Sequence, residues 1–102
     1  MEHHVYFWLK PERRNDADRA EFEKGLAAIL EIDLVTGGIW ATPAPVMERP
    51  VIDHTWDYAL STRFDSIEDQ DAYQTHPEHE VFIQRFKDWW EKVQVRDLLP
   101  GS

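Results

Sequence analysis

Tyr73, His76 and His79 fall within one short run, Asp71-Ala72-Tyr73-Gln74-Thr75-His76-Pro77-Glu78-His79. An imidazole beside a phenol in a partly dry pocket can move a proton near neutral pH. His79 lies three residues before Phe82 and seven before Phe86. On a helix it shares their apolar stripe and points at whatever that stripe covers. Tyr73 closes the preceding segment and reaches the same spot. His4 and Tyr58 lie on strand faces that can look back at it. The same spacing also supports a plain structural reading, in which a histidine bonded to tyrosine or backbone is a satisfied polar group of the core. His76, directly before Pro77, reads as the residue that holds the turn opening the helix, because proline suits the first helical position. His76-x-x-His79, flanked by Glu78 and Glu80, has the spacing of a metal-binding pair. No element fixes His3, His4 or His54 beside it as a third ligand, so no metal is assigned.

The elements that must position these residues follow from hydrophobic period. His3 to Leu9 reads as a strand, with His4, Tyr6 and Trp8 on one face and His3, Val5, Phe7 and Leu9 on the other. Pro11 ends it. Asn15 or Asp16 caps a helix to about Glu31, in which Phe22, Leu26, Ile29 and Leu30 form one apolar stripe. Gly37-Gly38 breaks the chain and Ile39 to Thr42 forms a short second strand. Pro43 to Asp53, with three prolines, is a loop. A third strand runs from Thr55 to Phe64, with Trp56, Tyr58, Leu60, Thr62 and Phe64 on one face. Ser66 opens a short helix to Gln74 in capping-box fashion. Pro77 opens another, whose helical spacing continues through Phe82, Phe86, Trp89, Trp90 and Val93. Val93 to Leu98 supplies an edge strand.

The order β-α-β-β-α-β is the ferredoxin-like α+β arrangement, an antiparallel sheet with helices on one face. Both faces of the first strand are apolar, so the helix-free face needs a cover. Pairing with a second copy supplies one, and a homodimer is expected.

With 102 residues the chain has the length of one domain, 1–102. Five Trp, five Phe and three Tyr let so short a chain build a core. No cysteine is present, which excludes disulfides and thiolate chemistry and fits the cytoplasm. A formal charge of −9 argues against nucleic acid and anionic membranes as partners. The first residues lack a basic region followed by an apolar run, so no signal peptide is expected. No apolar stretch approaches the roughly 20 residues that span a bilayer.

Three stretches carry a resemblance to a known family: His4-Val5-Tyr6-Phe7-Trp8-Leu9-Lys10-Pro11, Asp53-His54-Thr55-Trp56-Asp57-Tyr58-Ala59-Leu60, and Tyr73-Gln74-Thr75-His76-Pro77-Glu78-His79 with Phe82 behind it. Together they resemble the stress-responsive dimeric α+β barrel (Dabb) family over nearly the whole chain. The resemblance implies two ferredoxin-like units closing into a barrel. Within that family the sequence is similar to plant polyketide cyclases of the olivetolic acid type. That similarity implies His79 as general base and Tyr73 as its hydrogen-bonding partner. It implies His4 in the same cleft, with Tyr6, Trp8, Leu60, Phe82 and Trp90 as walls. The chain departs from the pattern at Tyr58, where such cyclases carry a further histidine, and at Glu23 and Leu26, where they carry aromatic residues. Tyr6 and Trp8 are also bulkier than the aliphatic residues of the pattern, which narrows or fills the cleft.

The leading expectation is a small apolar or aromatic molecule held between helices and sheet, with no cofactor. The alternatives are a cyclase-like enzyme, in which His79 takes a proton α to a carbonyl, and a cofactor-free oxygenase, similar at the level of fold alone.

Overall fold

The computed structural model describes residues 1–101, and Ser102 of the expected domain lies outside them. The elements are β1 (Glu2–Leu9), α1 (Asp16–Leu30), β2 (Gly37–Ala41), β3 (Tyr58–Arg63), α2 (Ile67–Gln74), α3 (Pro77–Phe86) and β4 (Trp90–Leu98). One antiparallel sheet takes the order β2-β3-β1-β4, so β1 is central and β4 is an edge. This is the ferredoxin-like arrangement, with the second helical segment broken in two.

Local chemistry sets the helix starts. The Asn15 side chain accepts from the Asp18 amide at 2.8 Å, and Asp16 and Asp18 in the first turn suit the positive end of the helix dipole. Ser66 accepts from the Asp69 amide at 3.1 Å. His76 Nδ1 accepts from the Glu78 amide at 3.1 Å while Pro77 takes the first helical position. His76 is therefore the turn-holding residue at the head of α3.

Several boundaries differ from the sequence reading: Gly37 and Gly38, expected as a break, begin β2 and pair with Arg63 and Thr62, and the larger differences lie in the third strand and the last helix. The third strand starts at Tyr58 rather than Thr55. Asp53 accepts from the Thr55 amide at 2.8 Å and from its hydroxyl at 2.6 Å, and the Trp56 indole donates to the Asp53 carbonyl. That turn swings Trp56 off the Tyr58 face and onto Tyr6, ring centroids 5.3 Å apart. The last helix ends at Phe86, not Val93. A single 3-10 turn, Lys87–Trp89, leads into β4, where Val93 and Val95 pair with Phe7 and Val5. The spacing of Phe86, Trp89 and Trp90 imitates a helix across that turn, while β-branched alternation marks the strand.

The core lies between the helices and the face carrying Val5, Phe7, Leu9, Tyr58 and Leu60. Phe22 of α1 is wholly buried and touches Phe7, Tyr58 and Phe86, with centroids at 5.2, 5.3 and 5.1 Å. Such pairs add about 0.5–1.5 kcal/mol each beyond burial. The sheet's other face carries no helix.

Candidate active site

Between the α2–α3 segment and the β1–β4 half of the sheet lies a cavity of about 290 Å³. Val5, Phe7, Leu60, Val93 and Val95 form its floor, and Tyr73, His79, Phe82 and Ile83 its roof. The register pairs His3 with Asp97 and Leu9 with Trp90, so His3, Asp97 and Gln70 stand at one end and Trp90 at the other. The opening runs along β4, where Val93 and Val95 keep 37% and 49% of their surface despite facing the helices.

Tyr73 and His79 meet edge to face, ring centroids 4.6 Å apart, and His79 Nδ1 is buried with no protein hydrogen-bond partner. Burial pushes the His79 imidazole below its ordinary 6.5, with Glu80 and the Gln74 carbonyl offsetting part of the effect. Burial alone pushes the Tyr73 phenol well above its ordinary 10. At neutral pH the pair is thus a neutral imidazole, able to take a proton, beside a phenol that keeps its own. Side by side, a neutral imidazole and a protonated phenol have the chemistry of a proton acceptor and a hydrogen-bond donor.

His3 and Asp97 are the titratable cavity residues that the sequence reading missed. The His3 Nδ1 lies 2.5 Å from Asp97 Oδ1. A carboxylate only accepts, so Nδ1 carries a proton, and in the neutral ring Nε2 is the acceptor. Strand parity groups His3 with Val5, Phe7 and Leu9, but the pairing of Val5 with Leu60 is what turns that set toward the helices.

Of the expected residues, Tyr73, His79, Leu60, Phe82 and Trp90 line this one cavity. His4, Tyr6 and Trp8 do not. The pairing of Val5 with Leu60 puts Leu60 on the Val5 face, which turns His4, Tyr6 and Trp8 to the helix-free side. There His4 meets Glu2 at 2.8 Å, Trp8 donates to Thr55 Oγ1 at 2.8 Å, and Lys92 lies 4.5 Å over the Trp8 ring. Tyr58 shares the Leu60 face but lies outside the cavity, buried with its hydroxyl on Glu23 at 2.6 Å. His76 Nε2 faces Asp33 at 3.6 Å. Among the described residues no three His, Asp or Glu side chains gather as a metal set would require. Trp90 Nε1, like His79 Nδ1, is buried and unpartnered.

Fold and site define a ferredoxin-like α+β domain with a histidine–tyrosine pair at a cavity beneath its broken helix. The chain belongs to the stress responsive A/B barrel domain family, Dabb, whose family model matches residues 1–99. No curated protein matches the chain. Among solved structures, At3g17210 from Arabidopsis thaliana aligns with a TM-score of 0.82 at 22% identity, covering 99% of this chain and 95% of that one. A dimeric ferredoxin-like protein of unknown function from Thermobifida fusca aligns at 0.73 with 14% identity over 93% and 85%. The hydroxynitrile lyase of Passiflora edulis aligns at 0.76 with 17% identity over 97% and 95%. At these identities the likeness is one of fold. Among the described residues no helix is long and apolar enough to cross a membrane.

Proposed function

We propose that the chain binds a small apolar or aromatic molecule in the cavity between α2–α3 and the sheet. The observation that carries this reading is the cavity of about 290 Å³ itself, walled mainly by Val5, Phe7, Leu60, Phe82, Ile83, Val93 and Val95 with a few polar side chains, among them His3, Tyr73 and His79. A concave, largely apolar chamber with a small number of polar groups is the usual form of a small-molecule site. Methyl-resolved NMR during titration with acetophenone tests it. Shifts confined to Val5, Leu60, Val93 and Val95 are expected, and their absence at millimolar probe would refute the reading.

A second reading, acid–base catalysis on a carbonyl compound, is favoured by the neutral His79 beside the protonated Tyr73. His79 would remove the proton α to the carbonyl and Tyr73 would donate to the enolate oxygen, the opening step of a cyclase-like aldol reaction. A positioned base of this kind contributes about 10²–10⁴ in rate. Exchange of the acetophenone methyl protons in D2O, followed by NMR, measures it. Exchange no faster than buffer, or equally fast in His79→Ala, removes the enzymatic reading and leaves the binding one.

The same proposal includes a homodimer. The helix-free face presents a shallow hollow of about 300 Å³ with apolar walls that include Tyr6, Ile39, Ala41, Trp56 and Ala59. A twin sheet laid against it would cover that surface, and the Thermobifida fusca structure of the same fold is described as dimeric. The cysteine-free composition suits a reducing compartment, and the cytoplasm is the proposed location.

A further inference from the structure

We propose that the cavity continues past Gln70 and Asp97 into a second hollow, and that the two together hold a neutral, chain-like molecule with its polar head in the cavity and its apolar tail against Ile67 and Leu99. This rests on the small-molecule reading and adds the shape of the ligand and a site for its tail.

The second hollow has a volume of about 180 Å³. Gln70 and Asp97 line both it and the cavity, and Met1, Ile67, Leu98 and Leu99 complete it. Two hollows that share two wall residues adjoin at those residues. The elements account for this. Ile67, Gln70 and Gln74 follow one another at spacings of three and four along α2, so they share one helical face. On β4, Val93, Val95 and Asp97 alternate onto the side that faces the helices, and Leu99 keeps that parity just past the end of the strand. One face of α2 and one side of β4 thus bound a single trough, and from Val93 to Leu99 it runs roughly 20 Å at the rise of a strand.

The far end of the trough is apolar and open to water, with Ile67 52% and Leu99 76% exposed. At about 290 Å³ the cavity alone is a small site, since ligand pockets run from roughly 300 to 1,000 Å³. The second hollow gives a longer molecule somewhere to go. Polarity gathers where the two meet, at Gln70 and at Asp97, whose carboxylate accepts from His3. A methylene chain passing there strips no unpartnered charge of its water.

Charge decides the class of head group. No lysine or arginine lines either hollow, and Asp97 is the carboxylate common to both. The amino group of Met1 is already held by the Phe64 carbonyl at 2.8 Å. An anionic head in the cavity would meet Asp97 without a countercharge, so the head is neutral.

2-Hexanone and 2-decanone carry the same head on a short and a long chain, and methyl-resolved NMR of the intact chain compares them. 2-Hexanone should shift Val93 and Val95 but not Ile67 or Leu99, and 2-decanone should shift all of them. 2-Decanone should bind at least about ten-fold more tightly, a full transfer gain of roughly four-fold per methylene being discounted for the open side of the trough. Ile67→Ser combined with Leu99→Ser changes exposed positions. It should weaken 2-decanone at least about five-fold and leave 2-hexanone unchanged, which also shows that the variant folds. Decanoate at neutral pH should bind at least about ten-fold more weakly than 2-decanone. If 2-decanone shifts Val93 and Val95 while Ile67 and Leu99 stay still, the inference is overturned and the cavity reading stands. The same holds if the double variant binds 2-decanone as tightly as the wild type. Decanoate binding as tightly as 2-decanone overturns the neutral class. If no probe perturbs any cavity residue, the cavity reading falls and this inference with it.

Discussion

Tyr58 donates its hydroxyl to Glu23 Oε2 across 2.6 Å, beneath the Arg19 guanidinium that lies 5.5 Å over the ring. These are two of the positions where the chain departs from the cyclase-like pattern, and in the fold the two departures form one hydrogen bond. It ties α1 to β3 on the far side of Phe22 from the cavity. Tyr58 is 1% exposed, so Tyr58→Phe keeps the packing and removes only the hydroxyl. A loss of about 1–2 kcal/mol in urea unfolding is expected, near the value of a bond to a charged acceptor discounted for the partial exposure of Glu23. A loss below a few tenths would mean that the bond contributes nothing net.

The same bond has a pH signature. Burial, then Glu23, pushes the Tyr58 phenol from 10 up to about 12. The folded state therefore holds this proton more tightly than the unfolded chain does. Its contribution is whole below pH 10 and falls away as pH rises from 10 to 12. The difference in unfolding free energy between wild type and Tyr58→Phe should shrink across that window. A difference that stays constant would contradict the assignment.

How far the sequence discloses this site depends on which direction a pattern carries. A helical stripe carries its own: His79, Phe82 and Phe86 must share a face, and that face must be the buried one. The caps at Asn15, Ser66 and His76-Pro77 are equally local and equally readable. Strand alternation carries no such direction. It separates His3, Val5, Phe7 and Leu9 from His4, Tyr6 and Trp8 without saying which set looks at the helices, and Trp8, 8% exposed on the helix-free side, makes both sets look interior. Only the pairing of Val5 with Leu60 decides it, and a shift of one residue exchanges every side chain. That is why His4 was expected where His3 stands. The His3–Asp97 pair joins the two ends of the chain, and no local pattern reports so distant a contact.

The lowered pKa of His79 gives a second pH dependence of opposite sign. With the folded value below the ordinary 6.5, the unfolded chain binds this proton first as pH falls. Stability should be fully present above pH 6.5 and decline below it, toward the folded value. Urea unfolding between about pH 5 and 7.5 measures the slope. His79→Phe, which keeps a ring against Tyr73, should reduce that slope. An unchanged slope would assign it to other groups and would count against a buried, neutral His79.

The His3–Asp97 pair predicts a single tautomer. With Nδ1–H donated to the carboxylate, ¹⁵N shifts of neutral His3 should show a protonated Nδ1 and a bare Nε2 toward the cavity. Asp97→Ala removes the acceptor and should let both tautomers appear, with a cost of about 1 kcal/mol for the buried nitrogen left without a protein partner. In a chain that proves catalytic, the same variant should lower the exchange rate while His79 keeps its own titration. A His3 that shows Nε2–H in the wild type would place the proton wrongly and undo the argument.

The assembly can be tested without touching the cavity. Ile39 lies on β2, on the helix-free face, and is 62% exposed in the single chain. A charge there should cost the folded monomer little, because the side chain has few partners to lose. Buried between two sheets the same charge would be unpaired, and its penalty would weigh directly on association. Sedimentation at micromolar concentration should therefore give a wild-type mass of about twice 12.1 kDa and an Ile39→Glu mass of 12.1 kDa, with the same far-UV spectrum. A wild type that stays at 12.1 kDa contradicts the dimer outright. An Ile39→Glu variant that still pairs moves the interface off this face, and the apolar hollow beside Tyr6 and Trp56 would then need a different occupant.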